Sequence, residues 1–303
     1  KMGPLGLLGV PWPEELGGAG MDQLSYYIVL HELAKVDASH ALTISAHTNL
    51  GTSPIMDFGT KAQRERYVPL LASGKVLGGF GLTEPGAGSD AGGTATTAVD
   101  KGDHYLLNGS KVFITHAGVG EIFSVTARTS PGSGHRGITS FIVTKDTVDL
   151  ARCRTLGVGH AEDLPKTKGV RAGKKEEKMG WRASDTRELI LEDAVVPKEN
   201  VLGTVGEGFV NFLKTLDAAK EFIGSAILFG LFLGWQFGSD IAVQFFSGWL
   251  TEYSLSVDNL FVFVLIMARF YVPRHLQQYV LMWGIVIALV LRGIFIALGA
   301  IAT

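Results

Sequence analysis

With 303 residues, a net charge of −2, and 27 basic against 29 acidic side chains, the chain has length for two or three domains but lacks the basic field that nucleic-acid binding requires. Its single cysteine, Cys153, excludes an internal disulfide framework and points to a reducing compartment for the soluble part. The hydrophobic share of 47% averages two unlike stretches: mixed sequence to about residue 220, then apolar runs nearly free of charge from Phe222 to Thr303.

The opening Lys1-Met2-Gly3-Pro4 has no basic segment followed by an apolar one, so no secretory signal is expected, and the start reads as a fragment of something longer. Pro11-Trp12-Pro13 and Gly17-Gly18-Ala19-Gly20 form an irregular lead-in, after which Asp22 is a good N-cap. Leu24, Ile28, Leu30 and Leu33 mark an amphipathic helix to about Val36, and Ala38 to Leu50 can form a second. Thr60-Lys61-Ala62-Gln63 reads as a capping box and Gly74 as a helix stop, so residues 21–74 are expected to be helical. His31, His40 and His47 share no metal-site spacing and read as satisfied or exposed histidines.

From Val76 the texture turns to β-structure. Short runs rich in β-branched and aromatic residues lie at 94–99, 104–107, 110–115, 122–127, 138–144 and 188–191, separated by turn signals. Asn108-Gly109 predicts a hairpin between two of them. The inference is a sandwich or barrel over 76–196, interrupted by a solvated, Lys-rich loop over 149–178. Near Gly206-Glu207-Gly208 a helix starts, with Phe209, Phe212, Leu213 and Leu216 on one face.

At the first seam lies Phe80-Gly81-Leu82-Thr83-Glu84-Pro85-Gly86-Ala87-Gly88-Ser89, an apolar strand running into small residues. Gly86 and Gly88 would let main-chain N–H groups approach a ring edge or a phosphate, and Thr83 and Ser89 add hydroxyls. A tight turn between strands is the alternative. The second signal is Lys111-Val112-Phe113-Ile114-Thr115.

Taken in order, these stretches resemble the flavin-dependent acyl-CoA dehydrogenases over about residues 5–217. The likeness runs from Gly6-Leu7-Leu8-Gly9-Val10-Pro11 and Glu15-Leu16-Gly17-Gly18 through Leu82–Asp90 and Phe113-Ile114-Thr115. It continues through Met179-Gly180-Trp181-Arg182-Ala183-Ser184-Asp185-Thr186 to Val196-Pro197-Lys198-Glu199-Asn200-Val201-Leu202-Gly203. The resemblance implies that FAD is held by Phe80, Leu82, Thr83, Gly88, Ser89, Phe113, Ile114 and Thr115. It implies that Ser89 and Asp217 meet an acyl-CoA substrate, and that electrons pass to an electron-transfer flavoprotein. In that family a carboxylate takes the α-proton while the β-hydrogen leaves as hydride, and the enzymes are homo-oligomers. The family's base sits in a carboxy-terminal helical domain with no counterpart here. Some members instead place a Glu at the position that is Ala219 in this chain, and Glu221 is the nearby candidate.

After Asp217 a second resemblance takes over. Phe246-Ser247-Gly248-Trp249-Leu250-Thr251-Glu252 through Ser256-Val257-Asp258-Asn259-Leu260, with Val272-Pro273-Arg274 and Gly284–Arg292, is similar to the TerC integral membrane proteins, associated with tellurite resistance and metal-ion export. It covers roughly 218–303. Tyr279 to Ala302 is long enough to span a bilayer, which takes about 20 mostly apolar residues, and 222–237 and 241–270 are two further candidates. Lys214, Lys220, Arg269 and Arg274 put the soluble part and the Arg-bearing loop on the cytoplasmic side. Glu252, Asp258 and Asn259 are the candidate metal-ion residues, with Glu252 at the membrane interface as the alternative.

The expected architecture is multi-domain α+β: a truncated helical domain over 1–75, a β-sandwich or barrel over 76–196, a helical junction over 197–220, and transmembrane helices over 221–303. Three readings of the whole stay open: a flavoenzyme, a membrane metal-ion protein with a soluble appendage, or a chimera of two gene fragments. The chain is accordingly expected to be membrane-anchored with its soluble part cytoplasmic, or cytoplasmic if the last segment is not genuine.

Overall fold

The computed structural model describes residues 2–88, 90–145, 147–178, 180–217, 231 and 234–247. Its contacts divide into two units, Lys1–Ala218 and Ala219–Thr303.

In the first unit, helices come first. Asp22 caps α1 (Gln23–Val36), its carboxylate accepting the Ser25 N–H at 2.8 Å. Then follow α2 (Ala38–Ser45), a π-helical stretch (Ala46–Thr52), α3 (Ser53–Phe58) and α4 (Lys61–Ala72). The capping box forms as expected: Thr60 Oγ1 accepts from Gln63 N at 3.2 Å, and Gln63 Oε1 accepts from Thr60 N at 2.8 Å. Gly74 ends the helical part with a φ of +70°. The buried side of α1 differs from expectation. Leu24 and Ile28 are exposed, while Tyr26 is fully buried and Leu30 and Leu33 pack partly against the core.

The strands β1 (Gly78–Gly81), β2 (Thr97–Asp100), β3 (His104–Thr115), β4 (Ile122–Arg128), β5 (Ile138–Thr144), β6 (Val170–Lys175), β7 (Thr186–Pro197) and β8 (Val201–Leu202) form one mixed sheet. Its order is β6-β7-β3-β2-β4-β5-β8, and β1 runs parallel to β4. β2 and β4 separate β3 from β5 in that order, yet Tyr105 and Phe141 meet edge to face with ring centroids 5.1 Å apart. The sheet therefore curls over its own core. Alternation on β4 and β5 sends Phe123, Val125, Ala127, Phe141 and Val143 into that core. Ile122 and Ile142 face the other way, toward Tyr67, Val68 and Leu71 of α4.

Two expectations fail here. Asn108-Gly109 is no hairpin turn, because β3 runs unbroken through it. Asn108 instead stitches β3 to a bulge on β7: its Nδ2 donates to Asp193 Oδ1 at 3.0 Å, its Oδ1 accepts from Asp193 N at 2.9 Å, and Asp193 has a φ of +49°. Nor is 149–178 a solvated loop. It holds α5 (Leu150–Leu156) and β6, and buries Cys153, Ala161, Leu164 and Val170. The fully buried Glu121 anchors it, accepting from His160 Nδ1 at 2.9 Å, Ala161 N at 3.1 Å and Lys166 Nζ.

The helix after the sheet, α6 (Gly208–Asp217), begins where expected. Gly206 N donates to Thr139 Oγ1 at 2.9 Å, and a Cβ on Gly208 would lie 2.5 Å from the Thr139 carbonyl carbon, so only glycine lets α6 start against β5. In the second unit, 234–237 and 239–247 are helical. Among the described residues no helix is long and apolar enough to cross a membrane. The expected span at 279–302, and most of those at 222–237 and 241–270, lie outside them.

Candidate functional site

β1 ends at Gly81 and the chain leaves the sheet as the loop 82–88. Its turn closes on itself, Glu84 N donating to Ala87 O at 2.9 Å and Ala87 N to Glu84 O at 3.1 Å. Gly86 and Gly88 face open space, and neither has the positive φ that would demand glycine.

Opposite the loop, β3 carries a bulge. Lys111 pairs with Leu189 but Ile114 pairs with Arg187, so one extra residue is accommodated, and Phe113 takes a φ of +59°. A bulge re-aims the side chain it carries. Ile114 stays in the core while the Phe113 ring is turned outward and left 64% exposed. Val112 N donates to Thr83 O at 2.8 Å, lacing the bulge to the loop. From α6, Phe212 stacks on Phe80 with centroids 5.9 Å apart and an interplanar angle of 18°.

These pieces enclose a cleft of about 280 Å³. Phe80, Leu82, Thr83, Phe113, Ile114 and Thr115 all line it, with Ala46 and Leu50 of the π-helical stretch and Phe212 and Leu216 of α6. Six of the eight expected cofactor residues thus converge. Gly88 lines a neighbouring, more open cleft that shares Leu82, Phe212 and Leu216. Ser89 and Glu221, like Glu252, Asp258 and Asn259, lie outside the described residues. The backbone of Asp217 closes α6, and its side chain lies outside the description. Among the described residues, no group of three or more His, Cys, Asp or Glu is disposed to hold a metal ion.

The cleft's walls are apolar and its polar groups few. The Thr83 and Thr115 hydroxyls have no hydrogen-bond partner among the described residues, so both are free to bond a ligand. No carboxylate lines the cleft among those residues. What the arrangement offers is a largely apolar cleft with two threonines in its lining, a composition suited to an aromatic ring system.

Sequence reasoning missed a buried ion pair below the slot. Lys111 Nζ lies 2.6 Å from Glu84 Oε1, with the lysine side chain fully buried and that of the glutamate 5% exposed. Burial pushes the Lys111 ammonium down to about 8 against the pull of Glu84. For Glu84, burial pushes upward, but the Lys111 charge and the donors around the carboxylate outweigh it and hold the group below its usual range. A lysine at a core-facing strand position was the available signal. Two buried histidines also grip Gly78 in β1. His47 Nδ1 accepts from Gly78 N at 3.0 Å, so its Nε2–H donates to Leu71 O at 3.0 Å. His116 Nδ1–H donates to Gly78 O at 2.7 Å. Burial, reinforced by His116, pushes His47 down to about 3, and burial also lowers His116.

Comparison with known proteins gives three family matches: the acyl-CoA dehydrogenase N-terminal domain over residues 1–75, the acyl-CoA dehydrogenase middle domain over 79–194, and the integral membrane protein TerC family over 237–303. An acyl-CoA dehydrogenase of Bacillus subtilis (strain 168) is 43% identical over 228 residues, covering 75% of this chain and 55% of that protein. The caffeyl-CoA reductase-Etf complex subunit CarC of Acetobacterium woodii is 43% identical over 225 residues, covering 74% and 54%. Among solved structures, butyryl-CoA dehydrogenase from Megasphaera elsdenii matches with a TM-score of 0.64 and 34% identity, covering 91% of this chain and 72% of that one. An acyl-CoA dehydrogenase complexed with FAD from Bacillus anthracis matches with a TM-score of 0.62 and 37% identity, covering 75% and 36%. The chain spans about half the length of the curated relatives it matches.

Proposed function

Because the chain belongs to the acyl-CoA dehydrogenase family, we propose that the cleft takes the ring system of FAD and that its fold serves α,β-dehydrogenation of an acyl-CoA thioester. The observation that carries this reading is the convergence of Phe80, Leu82 and Thr83 with Phe113, Ile114 and Thr115 on one slot, brought about by a bulge.

The residues present fit the group. Phe113 offers an exposed ring face, Leu82 and Phe212 supply apolar walls, and the unpartnered Thr83 and Thr115 hydroxyls stand ready for the polar ring edge. When bound, FAD supplies the two-electron acceptor for a hydride from the substrate's β-carbon. Around it the chain binds and orients, and its apolar walls exclude water. Gly88 lines the neighbouring cleft; on this reading Ser89 and Asp217, one outside the described residues and the other closing α6, meet the acyl-CoA. The α-proton needs a carboxylate, and Glu221, outside the described residues, is the candidate within this chain. Electrons leave to an electron-transfer flavoprotein, a partnership supported by the Etf-complex relative. Assembly as a homo-oligomer belongs to the same reading. The test is anaerobic addition of butyryl-CoA to the FAD-loaded chain. Bleaching of the visible flavin absorption supports dehydrogenation, whereas an unchanged spectrum of bound flavin contradicts it.

A second reading concerns the last segment and is favoured by its TerC match. On that reading residues 221–303 enter a membrane, with the soluble part on the cytoplasmic side, and Glu252, Asp258 and Asn259 serve a metal ion. Resistance of the chain to alkaline extraction from membranes, and altered metal tolerance in Glu252→Gln and Asp258→Asn, are expected. Release by alkali opposes it. The chimera reading draws on the division of contacts at Ala218/Ala219, where one resemblance gives way to the other. A single DNA read across codons 205–230 tests the join: its absence means that the two halves are separate proteins joined by an assembly error, and its presence means that the fusion is genuine.

A further inference from the structure

The Lys111–Glu84 pair does not line the cleft, yet it touches both of its walls. Lys111 lies two residues before Phe113 on the bulged strand. Its ammonium reaches across to donate to the Leu82 carbonyl at 3.2 Å, and to Thr126 Oγ1 on β4 at 3.3 Å. The stem passes close to Gly81, where a Cβ would meet Lys111 Cγ at 3.3 Å and Val125 Cγ2 at 3.1 Å. From the other side, the Glu84 carboxylate accepts Ala95 N at 2.7 Å and Thr96 N at 3.1 Å, fixing the loop to the approach to β2.

A buried ion pair is a poor way to gain stability, since apolar residues of similar volume often do as well. Apolar residues could not orient the Leu82 carbonyl or gather the Ala95 and Thr96 N–H groups. Apart from this pair, the loop's hydrogen bonds among the described residues are its own turn and the Val112 N to Thr83 O contact. The pair therefore sets how far the Leu82–Thr83 wall stands from the Phe113 wall.

We infer that Lys111 and Glu84 are a positioning pair that fixes the spacing of the two cleft walls, and through it the affinity for the ligand held between them. Its functional readout rests on the flavin reading. The test uses the full chain and the double variant Lys111→Met/Glu84→Gln, which removes both charges at similar volume, with FAD as the probe. The folded double variant should exchange its Val112, Ala95 and Thr96 amide hydrogens on the order of tenfold faster or more. It should also bind FAD about tenfold more weakly or worse, with an altered visible flavin spectrum. A lowered melting temperature with unchanged exchange, affinity and spectrum would make the pair merely structural and overturn the inference, as would faster exchange with unchanged affinity. Should the double variant not fold, Lys111→Arg, which keeps the charge but displaces the donor, is read by the same criteria. A wild-type chain that takes up no FAD refutes the flavin reading instead. The exchange rates then decide alone: faster supports the positioning role and unchanged overturns it.

Discussion

Replacing Phe113 with glycine should separate ligand binding from folding. The residue sits in the left-handed region at φ +59° with its ring 64% exposed. Glycine relieves a backbone conformation that costs an L-residue roughly 1–2 kcal/mol. Against this stand about 0.5–1 kcal/mol for the freedom glycine loses on folding, and roughly 0.5–1 kcal/mol for the third of the ring that is buried. The sum lies within about 1 kcal/mol of zero, a change of no more than about 4 °C in melting temperature for a unit of this size. An ordinary buried phenylalanine would lose several times that. Binding should respond differently, because a flavin would cover the exposed part of the ring. Losing that burial, about 1–2 kcal/mol, and the aromatic contact, about 0.5–1.5 kcal/mol, should raise the Kd for FAD roughly ten- to several-hundred-fold. Thermal unfolding monitored by circular dichroism and quenching of flavin fluorescence measure the two quantities. A melting temperature lowered by about 10 °C or more would mean that the ring packs in the fold. Unchanged FAD affinity in a stable variant would mean that the ring is not a wall of the site.

Further outcomes follow from buried groups elsewhere. Glu121→Leu strands the His160, Ala161 and Lys166 donors and should cost about 3–5 kcal/mol, seen as an unfolding midpoint lowered by roughly 6–20 °C. Gln63→Leu loses the reciprocal half of the capping box together with bonds to the Glu199 and Val201 carbonyls at 2.7 and 2.8 Å, for about 2–3 kcal/mol in urea unfolding. Acid should weaken the fold through His47, pushed down to about 3 in the folded chain. The unfolded chain takes up a proton near pH 6.5 that the folded one refuses, so stability is full above that pH and falls as the pH drops toward 3. At pH 4.5 the loss from this residue is about 2–3 kcal/mol. His47→Gln should be less stable at neutral pH but lose less between pH 7 and 4.5, and equal slopes for the two proteins would refute this role.

The helical part was legible because its signals are local: Asp22, the Thr60–Gln63 box and Gly74 each act within one turn of chain. What escaped were features set by partners far away in sequence. Asn108-Gly109 has the composition of a turn, but its amide bonds a bulge 85 residues downstream, and tertiary pairing overrides the local preference. The 149–178 stretch looked polar because its lysines are visible in the sequence while the buried carboxylate that receives one of them, Glu121, is not adjacent. The cleft residues were named through resemblance. The reason Phe113 faces the cleft, a one-residue bulge, has no signature in Lys111–Thr115 itself. Lys111 shows the same limit, for nothing near it in sequence announces Glu84, 27 residues away.

The account rests on the slot between Leu82–Thr83 and Phe113–Thr115 being the flavin site, and titration of FAD into the full chain and a Thr83→Trp variant tests this most directly. The side chain of Thr83 lines the slot without a bond among the described residues, so tryptophan there should fill the space without unfolding the chain. Saturable one-to-one uptake by the wild type, weakened about tenfold or more in a variant of unchanged melting temperature, is the expected result. No uptake by the wild type, or equal affinity in the two proteins, would contradict it.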